Sequence, residues 1–183
     1  MLNVSEANDI LARSELLFSA EQVDAAVRKV ARELNAAFAG KHPLVLSVMG
    51  GAVVFTGQLL PMLTFPLDFD ILQVTRYGEH TSGRELTWRV APRDNLAGRD
   101  VLVLDDILDE GITLAAIRDL ILRHDAASCK TAVFSDKAID RPKPIKADFV
   151  GLTLPNRFVF GFGMDVKGAW RNLPAIYAMK ENQ

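Results

Sequence analysis

The chain has 183 residues, of which 49% are hydrophobic and 24% are charged, and its formal net charge at pH 7 is −2. This composition is typical of one compact globular domain and lacks the basic stripe of nucleic-acid-binding proteins, so we expect no nucleic-acid partner. The chain shows no secretion signal and no apolar stretch long enough to span a bilayer, so we expect a cytoplasmic protein with no membrane partner.

The first third of the chain predicts a helix, then alternating strands and a second helix. Residues 20–38 place apolar side chains on one stripe at helical spacing. Ser19 and Gln22 form a capping-box pattern at the start of this helix, and Gly40 ends it. The elements predicted next, in chain order, are a strand at 43–48, a turn at 49–51, a helix from 52 to about Pro61, and a strand at 67–75.

The remaining two thirds continue this alternation. Residues 76–85 are polar and contain glycine, which favours a hairpin or a mobile loop before a strand at 85–90. The later elements are a buried strand at 101–104, a helix after Gly111, and strands at 130–135 and 147–154. Strands alternating with helices indicate an α/β protein with a mainly parallel sheet. We expect the N-terminal segment and the last forty residues to pack as an added cap.

Three acids follow the apolar run at 101–104. Asp105 and Asp106 come directly after it, Asp109 follows, and Gly111 and Thr113 precede the next helix. In an open α/β sheet, ligands bind at the carboxyl ends of the strands. The sequence therefore predicts that these acids lie at a ligand site.

Three interpretations of this acidic turn compete. Acids can cap a helix N-terminus, but one would suffice and three repel one another. A phosphate-activated receiver domain keeps an acid pair beside a metal, but near its first strand, whereas two or three strands precede this pair. In a sugar-phosphate site, paired carboxylates accept hydrogen bonds from ribose hydroxyls while backbone amides of the glycine turn bind phosphate. The last interpretation explains both the acids and the glycine.

Residues 101–113, VLVLDDILDEGIT, resemble the signature of the type I phosphoribosyltransferases. Segments resembling the hypoxanthine-guanine branch of that family follow in the branch's order at 47–51, 75–83, 136–137, 155–165 and 170–173. The resemblance implies a type I phosphoribosyltransferase fold, in which helices flank a mainly parallel central sheet. It implies a single domain over 1–183, with a core at roughly 20–155 and a small hood from 1–19 and 156–183.

The resemblance also implies a reaction in purine salvage. The 5-phosphoribosyl group of 5-phosphoribosyl 1-pyrophosphate (PRPP) would pass to hypoxanthine or guanine, giving IMP or GMP and pyrophosphate. Mg²⁺ would be the cofactor, and the protein would form a homodimer or homotetramer. Two alternatives stay open, namely a non-catalytic sensor of PRPP or nucleotides with the same fold, and a transferase that prefers xanthine.

The family pattern implies a role for each matching residue. Asp109 would be the general base or acid near the purine N7, and Arg76 and Tyr77 would lie on a loop that closes over the reaction. The residues implied at the ribose and 5′-phosphate are Asp105, Asp106, Glu110, Gly111, Ile112 and Thr113. Those implied at pyrophosphate are Met49, Gly50, Gly51 and Arg171, with an unusual peptide geometry in the glycine loop. Those implied at magnesium are Asp105, Asp106 and Asp165.

The purine base would be held by three further residues. Lys137 would donate to the 6-oxo group, Phe158 would stack on the base, and Val159 would offer backbone groups to the C2 substituent. Taken alone, Lys137 also fits a solvated surface lysine, and Phe158 also fits core packing. Cys129, the only cysteine, cannot form an intrachain disulfide or a cysteine-built metal site, and the three scattered histidines disfavour zinc.

Three positions depart from the family pattern. Met49 stands where many relatives carry a lysine, and Ile112 stands where a basic residue is frequent. Glu110 replaces a serine or threonine, which adds negative charge beside a dianionic phosphate. We expect Glu110 either to point away from the phosphate or to pair with Arg76 or Arg141.

Overall fold

The computed structural model describes residues 2–76, 86–91 and 95–180 of the chain. The helices in these residues are α1 (Val4–Ala12), α2 (Ala20–Ala37), α3 (Val53–Leu59), which continues into a 3-10 turn at Leu60–Met62, and α4 (Ile112–Arg123). The strands are β1 (Ser14–Phe18), β2 (Leu44–Val48), β3 (Asp68–Arg76), β4 (Leu86–Val90), β5 (Asp100–Leu108), β6 (Ser128–Lys137), β7 (Phe149–Leu154), β8 (Val159–Phe160) and β9 (Ile176–Met179). The predicted α/β alternation is confirmed.

Six strands form the central sheet, in the order β4-β3-β2-β5-β6-β7. All neighbours are parallel except β3 and β4, whose antiparallel pairing is that of the predicted hairpin. The chain runs outward from β2 through β3 to β4, then crosses back to β5 on the other side of β2. The strand order therefore reverses between β2 and β5, and such a switch point opens a crevice at the carboxyl ends of the two strands.

The sheet is buried on both faces, which explains its continuous apolar runs. Leu102 and Leu104 of β5 face the helix α2 side, where one hydrophobic cluster packs. Val101 and Val103 face the other side, where Ile117 and Ile121 of α4 belong to a second cluster. Residues of β2 and β5 belong to both clusters, so the switch point is built on strands packed on both faces.

The N- and C-terminal segments form a separate three-stranded sheet, in the order β1-β9-β8. Both pairings are antiparallel, with Leu16 opposite Tyr177 in one and Phe160 opposite Tyr177 in the other. Trp170 Nε1 donates a hydrogen bond of 2.7 Å to the carbonyl of Ala7, so α1 is also tied to the C-terminal segment. The predicted hood is therefore present in the described residues.

One boundary prediction near the acids is wrong. Asp105 and Asp106 do not follow the strand but lie within it, because β5 stays paired with β6 as far as Leu108 opposite Asp136. The change of composition from apolar to acidic marks where β5 leaves the core, not where its hydrogen bonding ends. Among the described residues, no helix combines the length and the apolar character needed to cross a membrane.

Candidate active site

A small concave pocket lies where β5 turns into α4. Its volume is about 150 Å³, and its lining residues are Asp105, Ile107, Leu108, Asp109, Glu110, Gly111, Thr113 and Leu114. Gly111 is the N-cap residue of α4 and adopts a left-handed conformation, with φ of 80°. Among the described residues, no side chain caps α4 at this position through a hydrogen bond. The first backbone amides of α4 lie at the end of the helix that borders the pocket. Such a helix N-terminus favours a phosphate.

Asp105 lines this pocket, and Asp106 is the next residue of β5. The backbone amide of Asp106 donates to Asp105 Oδ1 at 2.9 Å, and that of Ile107 donates to Asp106 Oδ1 at 2.9 Å. Burial, with the added charge of Asp106, raises the pKa of Asp105 well above its usual range. Burial also raises the pKa of Asp106, against the opposing effect of hydrogen bonds and of Arg171. The pair is held partly out of water, so its negative charge is unfavourable unless a cation or a hydroxyl donor offsets it.

The loop between β2 and α3 closes the other side of the switch point. The Met49–Gly50 peptide is cis, which agrees with the unusual geometry expected there. Gly51 lies directly against Asp106, since a Cβ at this position would overlap the Asp106 carboxylate. Gly163 in turn packs against the Gly51 carbonyl, where a Cβ would overlap as well. Gly51 thus lets the β2–α3 loop meet the acidic strand, and Gly163 lets the C-terminal segment meet that loop, without side chains between them.

Arg171 and Asp165 reach the same region from the C-terminal segment. Arg171 Nη1 donates to the carbonyl of Gly163 at 2.6 Å, and Arg171 Nη2 pairs with Asp165 Oδ1 at 2.5 Å. The other oxygen of Asp165 accepts from the amide of Gly168 at 2.7 Å. The structure therefore brings both predicted residues together, with each neutralising the charge of the other.

Asp109 and Lys137 face one another across the ends of β5 and β6. Lys137 Nζ donates to Asp109 Oδ2 at 3.1 Å. The Lys137 side chain is only 14% exposed, while that of Asp109 is 49% exposed. The alternative that Lys137 is a solvated surface lysine is therefore wrong, and its ammonium is available beside an accessible carboxylate.

The aromatic segment 158–162 splits between surface and core. Phe158 is 53% exposed, whereas Phe160 and Phe162 are fully buried and Val159 is 7% exposed. The alternative of core packing is thus wrong for Phe158 and correct for the next two aromatics. An aromatic face held open to solvent is available to stack on a planar ligand.

Glu110 pairs with Arg141, which confirms one of the two outcomes expected for it. Both side chains are well exposed, and Ile112 is 46% exposed. Tyr77 lies outside the described residues, as does the side chain of Arg76. Among the described residues, no group of three or more His, Cys, Asp or Glu is arranged to hold a metal ion by itself.

Sequence reasoning missed Lys143, whose ammonium contacts the ends of both β5 and β6. Its segment, RPKPIK at 141–146, looks like a polar connection between strands. Its only available signal is a lysine between two prolines, which says nothing about the direction of the side chain.

Comparison with known proteins gives three findings. A family model described as "Phosphoribosyl transferase domain" matches residues 17–167. A hypoxanthine-guanine phosphoribosyltransferase of Streptococcus thermophilus is 36% identical over 168 residues, which cover 91% of this chain and 93% of that protein. A solved structure of a hypoxanthine phosphoribosyltransferase from Staphylococcus aureus superposes with a TM-score of 0.86 at 27% identity, covering 98% of this chain and 97% of that one.

Some relatives are much longer than this chain. The bifunctional protein TilS/HprT of Listeria innocua is 38% identical over 179 residues, or 97% of this chain, but the match spans only 27% of that protein. The similarity to it is therefore confined to about a quarter of its length. Together with the sheet order, these matches confirm the predicted fold class.

Proposed function

Because the chain belongs to the phosphoribosyltransferase family, we propose that it transfers the 5-phosphoribosyl group of PRPP to hypoxanthine or guanine. The products are IMP or GMP and pyrophosphate, so the protein is a pentosyltransferase of purine salvage. The observation that carries this proposal is the Lys137–Asp109 pair of 3.1 Å at the rim of the phosphate-sized turn. Lys137 is a donor for a 6-oxo group and Asp109 is an acceptor for a ring N–H. The two lie side by side at the carboxyl ends of β5 and β6.

The sugar and its phosphate occupy the acidic turn in this proposal. The 5′-phosphate binds to the amides at the start of α4 and to the Thr113 hydroxyl. Asp105 and Asp106 accept hydrogen bonds from the ribose hydroxyls. Because the ribose carbon becomes oxocarbenium-like in the transition state, the fixed carboxylates nearby stabilise its positive charge.

The base and pyrophosphate take opposite sides of that ribose. Lys137 leaves Asp109 to donate to the 6-oxo oxygen, and the freed Asp109 carboxylate accepts or returns the proton at N7. Phe158 stacks on the base, and Val159 offers backbone groups at C2. Pyrophosphate binds to the amides of the Met49–Gly51 loop and to Arg171, whose planar fork suits it. Arg76 and Tyr77 lie on the loop that excludes water.

The donor set fits Mg²⁺, which usually binds one or two carboxylates together with substrate phosphates rather than an all-protein cage. The paired carboxylates of Asp105 and Asp106 supply hard oxygen atoms at the ribose, and Asp165 supplies one near pyrophosphate once Arg171 releases it. When bound, the ion neutralises charge on the leaving pyrophosphate. The lack of a preformed cluster among the described residues fits an ion that arrives with PRPP.

We also propose that the protein acts in the cytoplasm as a homodimer or homotetramer. The family resemblance supports this, and Phe69, which is 45% exposed on β3, supplies apolar surface for a contact between copies. Light scattering during size-exclusion chromatography tests the oligomeric state, and a monomer at assay concentrations would contradict the proposed dimer or tetramer.

The test of the reaction is nucleotide formation from Mg²⁺, PRPP and each of hypoxanthine, guanine, xanthine, adenine and uracil. We expect turnover with hypoxanthine and guanine. Adenine should give none because Lys137 requires a 6-oxo acceptor, and uracil none because it has no imidazole N7 for Asp109. Efficient turnover with adenine would contradict the role of Lys137. Tight PRPP binding with no turnover on any base would show a sensor instead of an enzyme.

The role of Asp109 has its own prediction. Asp109→Asn keeps the shape of the side chain but removes the carboxylate that takes the proton at N7. We expect kcat to fall by about 100-fold or more, as for loss of a general base, while the Kd for PRPP stays within about twofold. Asp140→Asn, an exposed carboxylate in the following loop, is the matched control. An unchanged kcat in Asp109→Asn would remove Asp109 from the chemistry.

A further inference from the structure

We infer that Lys143 is a positioning residue for base recognition, which holds the ends of β5 and β6 at the spacing that brings Asp109 and Lys137 together. The inference rests on the proposed function for its chemistry. It assigns to Lys143 neither contact with substrate nor a step in the reaction.

The contacts of Lys143 are unusually complete for a lysine. Its Nζ donates to the Leu108 carbonyl at 2.6 Å, to the Lys137 carbonyl at 2.6 Å and to Asp136 Oδ1 at 2.5 Å. An ammonium has three N–H groups, so all three are used. The side chain is 13% exposed. A surface lysine held by one loose ion pair would show neither feature.

The three acceptors are placed at the point where the β5–β6 ladder ends. Leu108 and Asp136 are the last paired residues of this ladder, and beyond them no pairing between β5 and β6 fixes the two strands relative to each other. Leu108 precedes Asp109 directly, and the Lys137 carbonyl belongs to the residue whose side chain meets Asp109. Lys143 thus connects the two strands where their pairing ends, because its ammonium donates to the backbone carbonyls of Leu108 and Lys137.

The segment that carries Lys143 is itself held in place. Pro142 and Pro144 flank it, which restricts the backbone on both sides of Lys143. Ile145 is 3% exposed, and Ile145 and Pro144 pack beside Gly111 at the start of α4. The ammonium therefore reaches the ends of β5 and β6 from a rigid support.

The test compares Lys143→Met, Lys143→Arg and the control Lys146→Met, since Lys146 is an exposed lysine on the same segment. We expect Lys143→Met to raise KM for hypoxanthine by about tenfold or more, the usual loss when a buried charged hydrogen bond is removed. KM for PRPP should stay within about twofold. Lys143→Arg, which keeps the charge and donors, should recover part of the loss, and Lys146→Met should match wild type.

Equal increases in both KM values, or a lower melting temperature with unchanged kinetics, would overturn the inference in favour of a purely structural role. If Lys143→Met does not fold, Asp136→Ala removes one of the three acceptors, and a rise in KM for hypoxanthine but not for PRPP is again expected. An unchanged ratio of the two KM values in Asp136→Ala would then overturn it.

Failure of the proposed function is separable from failure of this inference. Absence of wild-type turnover with every 6-oxopurine contradicts the proposed function alone. In that case a crystal structure of Lys143→Met decides the positioning role. Separation of Lys137 Nζ from Asp109 Oδ2 beyond hydrogen-bond reach would support it, and retention of the 3.1 Å contact would overturn it.

Discussion

The acidic pair on β5 places two buried carboxylates side by side, which lowers the stability of the fold. Asp105 and Asp106 are adjacent carboxylates, and both have a raised pKa because burial disfavours their charged forms. Their backbone hydrogen bonds only partly offset that cost. A folded protein keeps such a pair where a ligand or ion supplies the missing positive charge or hydroxyl donors.

A pH-dependent gain in stability is therefore predicted for Asp105→Asn. Since the pKa of Asp105 is raised on folding, its contribution to stability is intact below its ordinary pKa of 3.8 and is lost as pH rises through the folded-state value. The amide cannot ionise and still accepts from the Asp106 amide. We expect Asp105→Asn to melt at a higher temperature than wild type at pH 7, and the difference to shrink towards pH 4.

Thermal unfolding of both proteins between pH 4 and pH 8 measures this difference. Asp119→Asn, on the exposed side of α4, is the control and should track wild type across the range. A difference between Asp105→Asn and wild type that is constant with pH would show that packing, not charge, is responsible.

The Glu110–Arg141 pair yields a prediction about PRPP binding. Arg141 neutralises Glu110, the acid that departs from the family pattern in the turn before α4. Because both side chains are exposed, the pair itself is worth no more than about 1 kcal/mol. We expect Arg141→Ala to raise KM for PRPP by about three- to tenfold through the unmasked Glu110 charge. Glu110→Thr alone should change it by less than about threefold.

The double variant completes a cycle. Glu110→Thr combined with Arg141→Ala should return KM for PRPP close to the wild-type value, since no charge is left unmasked. Arg28→Ala, which breaks a distant pair with Asp24 on α2, is the control. If Glu110→Thr alone lowers KM strongly, Glu110 harms binding despite its partner.

At the scale of elements, the site depends on two connections meeting at the switch point. The β2–α3 loop approaches the end of β5 so closely that Gly51 touches the Asp106 carboxylate. Helix α3 carries another glycine, Gly57, with open space where its Cβ would be. The chain thus offers two glycines near each other in sequence, one required by contact and one not.

We predict opposite effects for alanine at these two positions. In Gly51→Ala the new methyl group displaces Asp106, so we expect kcat/KM for PRPP to fall about 100-fold, as expected for a displaced binding group. In Gly57→Ala we expect full activity and a gain of up to about 1 kcal/mol in the free energy of unfolding, because alanine favours helix. Steady-state kinetics and urea unfolding measure both. Full activity in Gly51→Ala would mean that the loop and β5 are not held together.

Sequence patterns predicted β2, β5 and β6 of the central sheet from their apolar runs, and α2 from its wide apolar stripe. The elements of the hood lack such signals. Helix α1 buries no residue, and β8 is two residues long, so neither carries a periodicity that exceeds chance. They form because β1 and β9, which are distant in sequence, pair with each other.

The same distinction applies to the site. The acidic turn is one continuous stretch of sequence and the glycine loop is another, so a local pattern could predict each of them. Lys143 joins the ends of β5 and β6 through a side chain whose direction depends on tertiary packing. The exposure of Phe158 beside two buried aromatics likewise depends on where the hood lies, which no local pattern contains.

At the scale of the whole molecule, the hood and the central sheet share one hydrophobic cluster. Phe162, from the C-terminal segment, packs against Phe134 of β6 with ring centroids 4.4 Å apart. Phe134 also contacts Phe55 of α3 at 5.7 Å. Ile176 and other hood residues belong to the same cluster as Leu102 and Leu104. A core shared in this way favours a single cooperative unit rather than a sheet with a detachable cap.

We therefore predict that hood and sheet unfold together and that Phe134→Ala destabilises both. Trp170 belongs to the hood, so in a Trp88→Phe background its fluorescence reports the hood while circular dichroism reports the whole chain. Both probes should report one coincident urea transition. In Phe134→Ala the free energy of unfolding should be lower by about 3–5 kcal/mol. Leu122→Ala, at a side chain 43% exposed, should cost far less. If Trp170 fluorescence changed at lower urea than circular dichroism, the hood would be an independent unit and the single-domain prediction over 1–183 would be wrong.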